Sequence, residues 1–233
     1  MSLLTIVQNA ANEIGFTAPS SVVGSTDETA VRMLRSANRA GKILSKKDWP
    51  ELVKEHTFTT VASTAQYALP TDFRAPVLQT AWNRTLSEEM FPISSRQWQA
   101  EKSGNVTVAL NNRFRFFGTA NTAIGKLFTI HPTPSAAEDM VYEYYSENWV
   151  ISGGTEYDTW QADSDTTVFD EDLVELAVIW RFLKSLGQPY QEEKTEYDHQ
   201  LSIAMAGSQS LDIVRTDGHF ETLQNIPETG FGT

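Results

Sequence analysis

The stretch DEDLVELAVIWRFLKSLG, residues 170–187, can be read as one complete helix. Asp170, Glu171 and Asp172 crowd the first turn, where the helix dipole favours carboxylates, while Lys184 sits near the end and Gly187 supplies the stop. Leu173, Leu176, Ala177, Trp180 and Leu183 form one apolar stripe, which Val174, Val178 and Phe182 widen. That width predicts burial on more than one side.

Other helical segments lie on either side in the sequence. Downstream, Pro189 opens a further helix carrying Tyr190, Lys194, Tyr197, Leu201 and Met205. Upstream, Ser2 to Ile14 places Leu3, Val7, Ala10, Ala11 and Ile14 at helical spacing before Gly15. A second N-terminal helix is predicted from the capping-box pair Ser25 and Glu28 to about Lys47, with Val31, Leu34, Asn38, Gly41 and Leu44 along one stripe. It ends before Trp49-Pro50.

Between the helical pairs the period falls to two, and the residues become aromatic and β-branched. Thr57–Val61 and Gln66–Leu69 read as a hairpin around residues 62–65, and Val77–Trp82 as a further strand. Val106–Leu110 and Arg113–Phe117 read as a second hairpin turning at Asn111-Asn112. Leu127–Ile130 and Met140–Tyr145 follow, joined by His131-Pro132-Thr133-Pro134. Leu211 to Thr233 has no period and reads as an extended arm. The predicted fold class is α+β: an antiparallel helical bundle of two N-terminal and two C-terminal helices, a central antiparallel β insertion, and a C-terminal arm. The segments are 1–50 and 161–210 for the bundle, 51–160 for the β-rich insertion, and 211–233 for the arm.

Composition narrows the function classes. The 233 residues are 40% hydrophobic and 21% charged, which suits one folded core. Cysteine is absent, which excludes disulfides, thiolate nucleophiles and cysteine-ligated metal sites. No apolar run reaches the ~20 residues of a membrane span, and the polar residues within 1–15 argue against a signal peptide. The net charge of −12 opposes a grip on nucleic acid, yet it suits a surface past which DNA must slide.

The chemical motifs fail on inspection, leaving no catalytic, cofactor-binding or metal residue to nominate. Glu196-x-x-His199, with Glu192 one turn upstream, has the spacing of di-iron bundle ligands, but no second pair exists. A surface ion pair on the last helix is the better reading. Asp163-x-Asp165 followed by Asp170, Glu171 and Asp172 lacks the glycine and the closing Glu of an EF-hand, since Val174 stands at the twelfth position. A solvated loop feeding a helix is expected there. No nucleophile elbow or phosphate-binding glycine loop is present. Arg113 and Arg115 alternate with Phe114, Phe116 and Phe117, which suggests phenylalanines facing a core and arginines facing solvent or a neighbouring subunit. The six tryptophans, at 49, 82, 98, 149, 160 and 180, are many for one core, so some are expected at subunit contacts.

Three stretches carry a resemblance: QYALPTDFR at 66–74 together with HPTP at 131–134; YEYYSENW at 142–149; and Trp160-x-x-Asp163-x-Asp165 continuing through Asp170, Leu173, Trp180-Arg181, Gly187 and Tyr190 to Tyr197. With the order helices, β insertion, helices and tail, the chain resembles podovirus-type head-to-tail adaptor (tail tubular) proteins over nearly its whole length. His131 departs from the Asn or other polar residue often found there. The resemblance implies a non-enzymatic virion protein at the head-tail junction, assembled in the host cytoplasm. Its partners would be copies of itself in a ring of about twelve beneath the portal, the phage portal protein, and a tail or nozzle protein. Genomic DNA would pass through an acidic lumen without specific binding, and no membrane would be involved. The arm would reach along the portal, making Leu211, Ile213, Val214, Phe220, Leu223, Ile226 and Phe231 the expected portal contacts. Another neck or tail-completion ring protein is the alternative within the class. A metal-binding helical-bundle enzyme using Glu192, Glu196 and His199 is the alternative outside it.

Overall fold

The computed structural model describes residues 1–104, 112–119 and 125–209. The chain is α+β, with five α-helices and three sheets among these residues. Helices α1 (Leu3–Glu13) and α2 (Glu28–Leu44) come first, and α4 (Glu171–Leu186) and α5 (Gln191–Gln209) come last. Asp170 caps α4, accepting from the Leu173 amide at 3.0 Å, and Gly187 closes it with φ 71°. The cap of α2 is Asp27, which accepts from Ala30 N at 2.9 Å. Ser25 instead accepts from the Asp27 amide, so the capping-box assignment moves by two residues.

Helix α4 touches α1, α2 and α5. Its wide stripe is buried in one cluster with Leu3, Ile6 and Val7 of α1 and Met33, Ala37 and Leu44 of α2. This cluster also takes in Trp49, Leu52, Trp149, Val150, Trp160 and Phe169 from outside the helices. Trp149 is fully buried, edge-on to Trp160 with ring centroids 5.2 Å apart.

The first sheet is built around β9 (Asp139–Ser146). Strand β1 (Val53–Thr59) pairs with one edge of β9 over its whole length; β3 (Phe73–Pro76) and β4 (Trp82–Asn83) share the other, and β5 (Glu88–Glu89) extends β4. The second sheet runs β2 (Gln66–Ala68), β8 (Lys126–His131), β7 (Arg113–Gly118), β6 (Phe91–Pro92). A small third sheet holds β10 (Val150–Ser152) between β11 (Thr155–Tyr157) and β12 (Thr166–Thr167). Phe114, Phe128 and Tyr142 stack at centroid spacings of 4.9 and 5.0 Å, joining the second sheet to the first in a separate aromatic core.

Several expectations are overturned. Strands β1 and β2 do not form a hairpin: β1 pairs with β9 and β2 with β8, and this pairing brings Phe58, Tyr67, Phe128 and Tyr142 together in one aromatic core. Residues 77–81 form a turn, so the strand expected at Val77–Trp82 reduces to β4. The β region is not wholly antiparallel, since β6 and β7 run parallel. Strand β7 has β8 as its hairpin partner, across Phe117↔Leu127. The strand expected at Val106–Leu110, and Asn111 of its turn, lie outside the described residues. Helix α3 (Ser95–Ser103) was not expected; its capping box, Ser94 with Gln97, was the available signal. Only Trp98 of α3 is buried, so no apolar stripe announced it.

Candidate functional site

The acidic loop before α4 works as a clamp. Asp165 is 2% exposed, and its Oδ2 accepts from the amides of Gln161 and Ala162 at 2.6 and 2.7 Å. Asp163 accepts from Val22 N and Val23 N, the latter at 2.7 Å. The backbone carbonyls of Asp165 and Asp163 take the first amides of α1, Leu3 N and Leu4 N, at 2.8 and 3.1 Å. The loop, expected to be solvated, is only partly so: Ser164 and Asp170 are exposed, whereas Asp165 is buried and Asp163 half-buried, because orphan amides at a helix start require acceptors and these residues supply them.

A second hub sits where the first and third sheets meet. Asp72 accepts from Lys54 Nζ at 2.7 Å, Ser146 Oγ at 2.6 Å and Tyr144 Oη at 2.9 Å. Lys54 also pairs with Glu156. Burial opposes ionisation of Asp72, but the bonds from Lys54, Ser146 and Tyr144 outweigh it and hold the carboxyl below its ordinary range. Burial likewise works against the Lys54 cation, and the two carboxylates overcome it, raising its pKa. Burial first, and then the Asp72 charge, push the Tyr144 phenol up, keeping it a neutral donor.

The arginines of β7 are half-buried and make contacts within the chain. Arg113 pairs with Glu101 of α3, and the Arg115 guanidinium lies 5.3 Å from the Trp98 ring. Phe114 is buried and Phe116 packs against the same core, as alternation predicts. Trp49, Trp149, Trp160 and Trp180 belong to the helical core, Trp98 is buried outside both core clusters, and Trp82 is half-buried. Glu192, Glu196 and His199 line one shallow face of α5 with Gln191 and Thr195. The ion pair on that helix is Lys194 with Asp198, and among the described residues none joins Glu196 to His199. Among the described residues no group of three His, Asp or Glu side chains is placed to hold a metal ion. The seven expected portal contacts, Leu211 through Phe231, lie outside the described residues.

Two oppositely charged grooves flank α4. The cationic one, about 630 Å³, runs between α2 and α4 and is lined by Arg32, Arg35, Arg39, Arg181 and Lys184 around Trp180. Arg181 lies 4.2 Å from the Trp180 ring centroid. Burial, and then the neighbouring Arg39 charge, push the Arg181 pKa down against the pull of Tyr197. The acidic groove, about 440 Å³, lies among the end of α1, the start of α4 and α5, with Glu13, Asp172, Glu175 and Glu196 around Leu176 and Ile203. Burial, with Glu13 and Asp172 nearby, raises the Glu175 pKa although Asn9 donates to it. Sequence reasoning passed over the cationic groove, although Arg32, Arg35 and Arg39 recur at helical spacing opposite the apolar stripe.

Among the described residues the geometry offers tied loops, two cores and charged faces. Among the described residues no helix is long and apolar enough to cross a membrane. No curated protein matches the chain. A family model described as SU10 adaptor protein matches residues 1–218, and the chain therefore belongs to that family of phage head-to-tail adaptors, structural components of the virion.

Proposed function

We propose that this chain forms a ring of about twelve copies beneath the portal at the head-tail junction and joins the portal to a tail or nozzle protein. The carrying observation is the family match over residues 1–218. The helical part, residues 1–50 and 161–210 as an antiparallel bundle, packs beneath the portal, and the β-rich part, 51–160, faces the tail. The segment 211–233 reaches along the portal as an extended arm through Leu211, Ile213, Val214, Phe220, Leu223, Ile226 and Phe231. Oppositely charged faces on one chain suit a ring, because a closed ring gives each subunit two different contact faces. The net charge of −12 suits a lumen through which DNA passes without adhering. Assembly takes place in the host cytoplasm.

The test is addition of the purified full-length chain to portal rings of the same phage, followed by imaging of the complexes. One continuous ring of adaptor density under each portal is the expected result. Portal rings that emerge bare at saturating adaptor concentration overturn the reading.

A further inference from the structure

The cationic groove is anomalous in a chain with 30 acidic and 18 basic residues, because it gathers five of the 18 on one face. Arg32 has Glu28 as an ion-pair partner, whereas among the described residues the exposed Arg35 and Arg39 have none. The hydroxyls of the groove donate into their own helices, Ser36 to Arg32 O at 3.0 Å and Ser185 to Phe182 O at 2.7 Å. Trp180 Nε1 and Arg181 Nε are buried without a hydrogen-bond partner. What the groove presents outward is therefore the charge and N–H donors of Arg35 and Arg39, so its complement must bring carboxylates.

The chain itself carries such a complement. Around α4 the acidic lining residues and the cationic ones are centred roughly 130° apart and separated by roughly 13 Å along the axis, at 100° and 1.5 Å per residue. Within the acidic groove Ile203 is 51% exposed, an apolar centre inside a charged rim, as contact surfaces are built. Two complementary faces on different sides of one helix favour head-to-tail contact over a two-fold dimer.

We propose that the cationic groove between α2 and α4 seats the acidic groove of a second copy of this chain, so that ring neighbours dock head to tail through α4. This rests on the ring reading above and names the contact that closes the ring. Nucleic acid is the poorer occupant, since every approach to the groove crosses the field of a strongly acidic protein.

The test uses full-length chains with portal rings of the same phage. Arg35→Glu with Arg39→Glu gives one variant, and Glu13→Lys with Glu196→Lys gives another. All four positions are exposed, and an unchanged melting temperature checks that each variant folds. Each variant alone replaces two attractive charges by two repulsive ones at every neighbour contact, and its half-saturating concentration for ring formation should rise at least roughly tenfold. An equimolar mixture matches opposite charges at every contact when the two alternate, and should restore ring formation with the variants in equal number by native mass spectrometry. Variants that ring as well as wild type leave the adaptor reading standing and overturn this one. Loss in both variants without rescue in the mixture also overturns it and assigns the groove to the portal. A wild-type chain that leaves portals bare removes the ring reading, and this contact with it.

Discussion

The indole of Trp149 occupies the space that a Cβ on Gly41 would fill, with Cη2 and Cζ2 each 2.1 Å from that position. Helix α2 thus lies directly on a tryptophan that follows the last long strand, and glycine is the residue that permits it. Gly41→Ala should destabilise the chain by about 3 kcal/mol through overpacking. Trp149→Ala should cost about 3–5 kcal/mol through the cavity it leaves. Urea denaturation of the two single variants and the double variant checks this: the combined loss should fall short of the sum, because the cavity accepts the methyl. Strict additivity would remove the contact from the account.

The Asp72 hub predicts an acid limb in the stability curve. Its folded pKa is depressed, so its contribution is present above the unfolded value near 4 and is lost as pH falls through the lower folded value. Lys54 acts at the other end. Its folded pKa is raised above 10.5, so its contribution holds below that value and is lost as pH rises through the folded one. Asp72→Asn should lower the melting temperature at pH 7 and have much less effect at an acid pH below the folded value, where wild type has lost the same interaction. An equal loss at both pH values would show that Asp72 acts by shape alone.

Asp165→Ala leaves the amides of Gln161 and Ala162 without their acceptor and should cost about 1–3 kcal/mol. Asp165→Asn keeps an amide oxygen able to accept and should cost less. Because the same loop holds the start of α1, hydrogen exchange at Leu3 and Leu4 should accelerate in the alanine variant. Exchange there at the wild-type rate would refute the clamp.

Deletion of residues 211–233 should leave the melting temperature within about 2 °C and abolish attachment to portal rings. Co-sedimentation is the measurement, and truncated chains that still pellet with portals at full stoichiometry would relocate the portal contact to the folded part.

Much of this architecture is legible in the sequence where the cause is local. Asp170 and Gly187 bound α4 because a cap and a left-handed stop are properties of single residues. The stretches that carry the family likeness prove to be the tied points of the structure. Asp72, from the first, is bonded to Tyr144 and Ser146, from the second, while Asp163 and Asp165, from the third, clamp α1. What local reading misses depends on distant partners. Thr57 reads as part of a hairpin until Val141, its ladder partner, is known. Arg115 reads as a solvent-facing residue until α3 brings Trp98 beneath it. The cationic groove needed α2 and α4 side by side, so Arg35 and Arg181 could not be associated from their positions in the chain.

The packing of α1 and α2 against α4 has a consequence for how the chain is made. More than a hundred residues separate these helices from the surface that buries them, and the first amides of α1 wait for Asp163 and Asp165. A short helix without its tertiary partner is marginal in water. The N-terminal helices therefore emerge from the ribosome with only part of their packing surface, and they dock fully only after α4 has been translated. Folding of this core completes only once α4 is made, and a chain broken off before residue 170 leaves both helices with the α4-facing part of their apolar surface bare, open to aggregation and proteolysis.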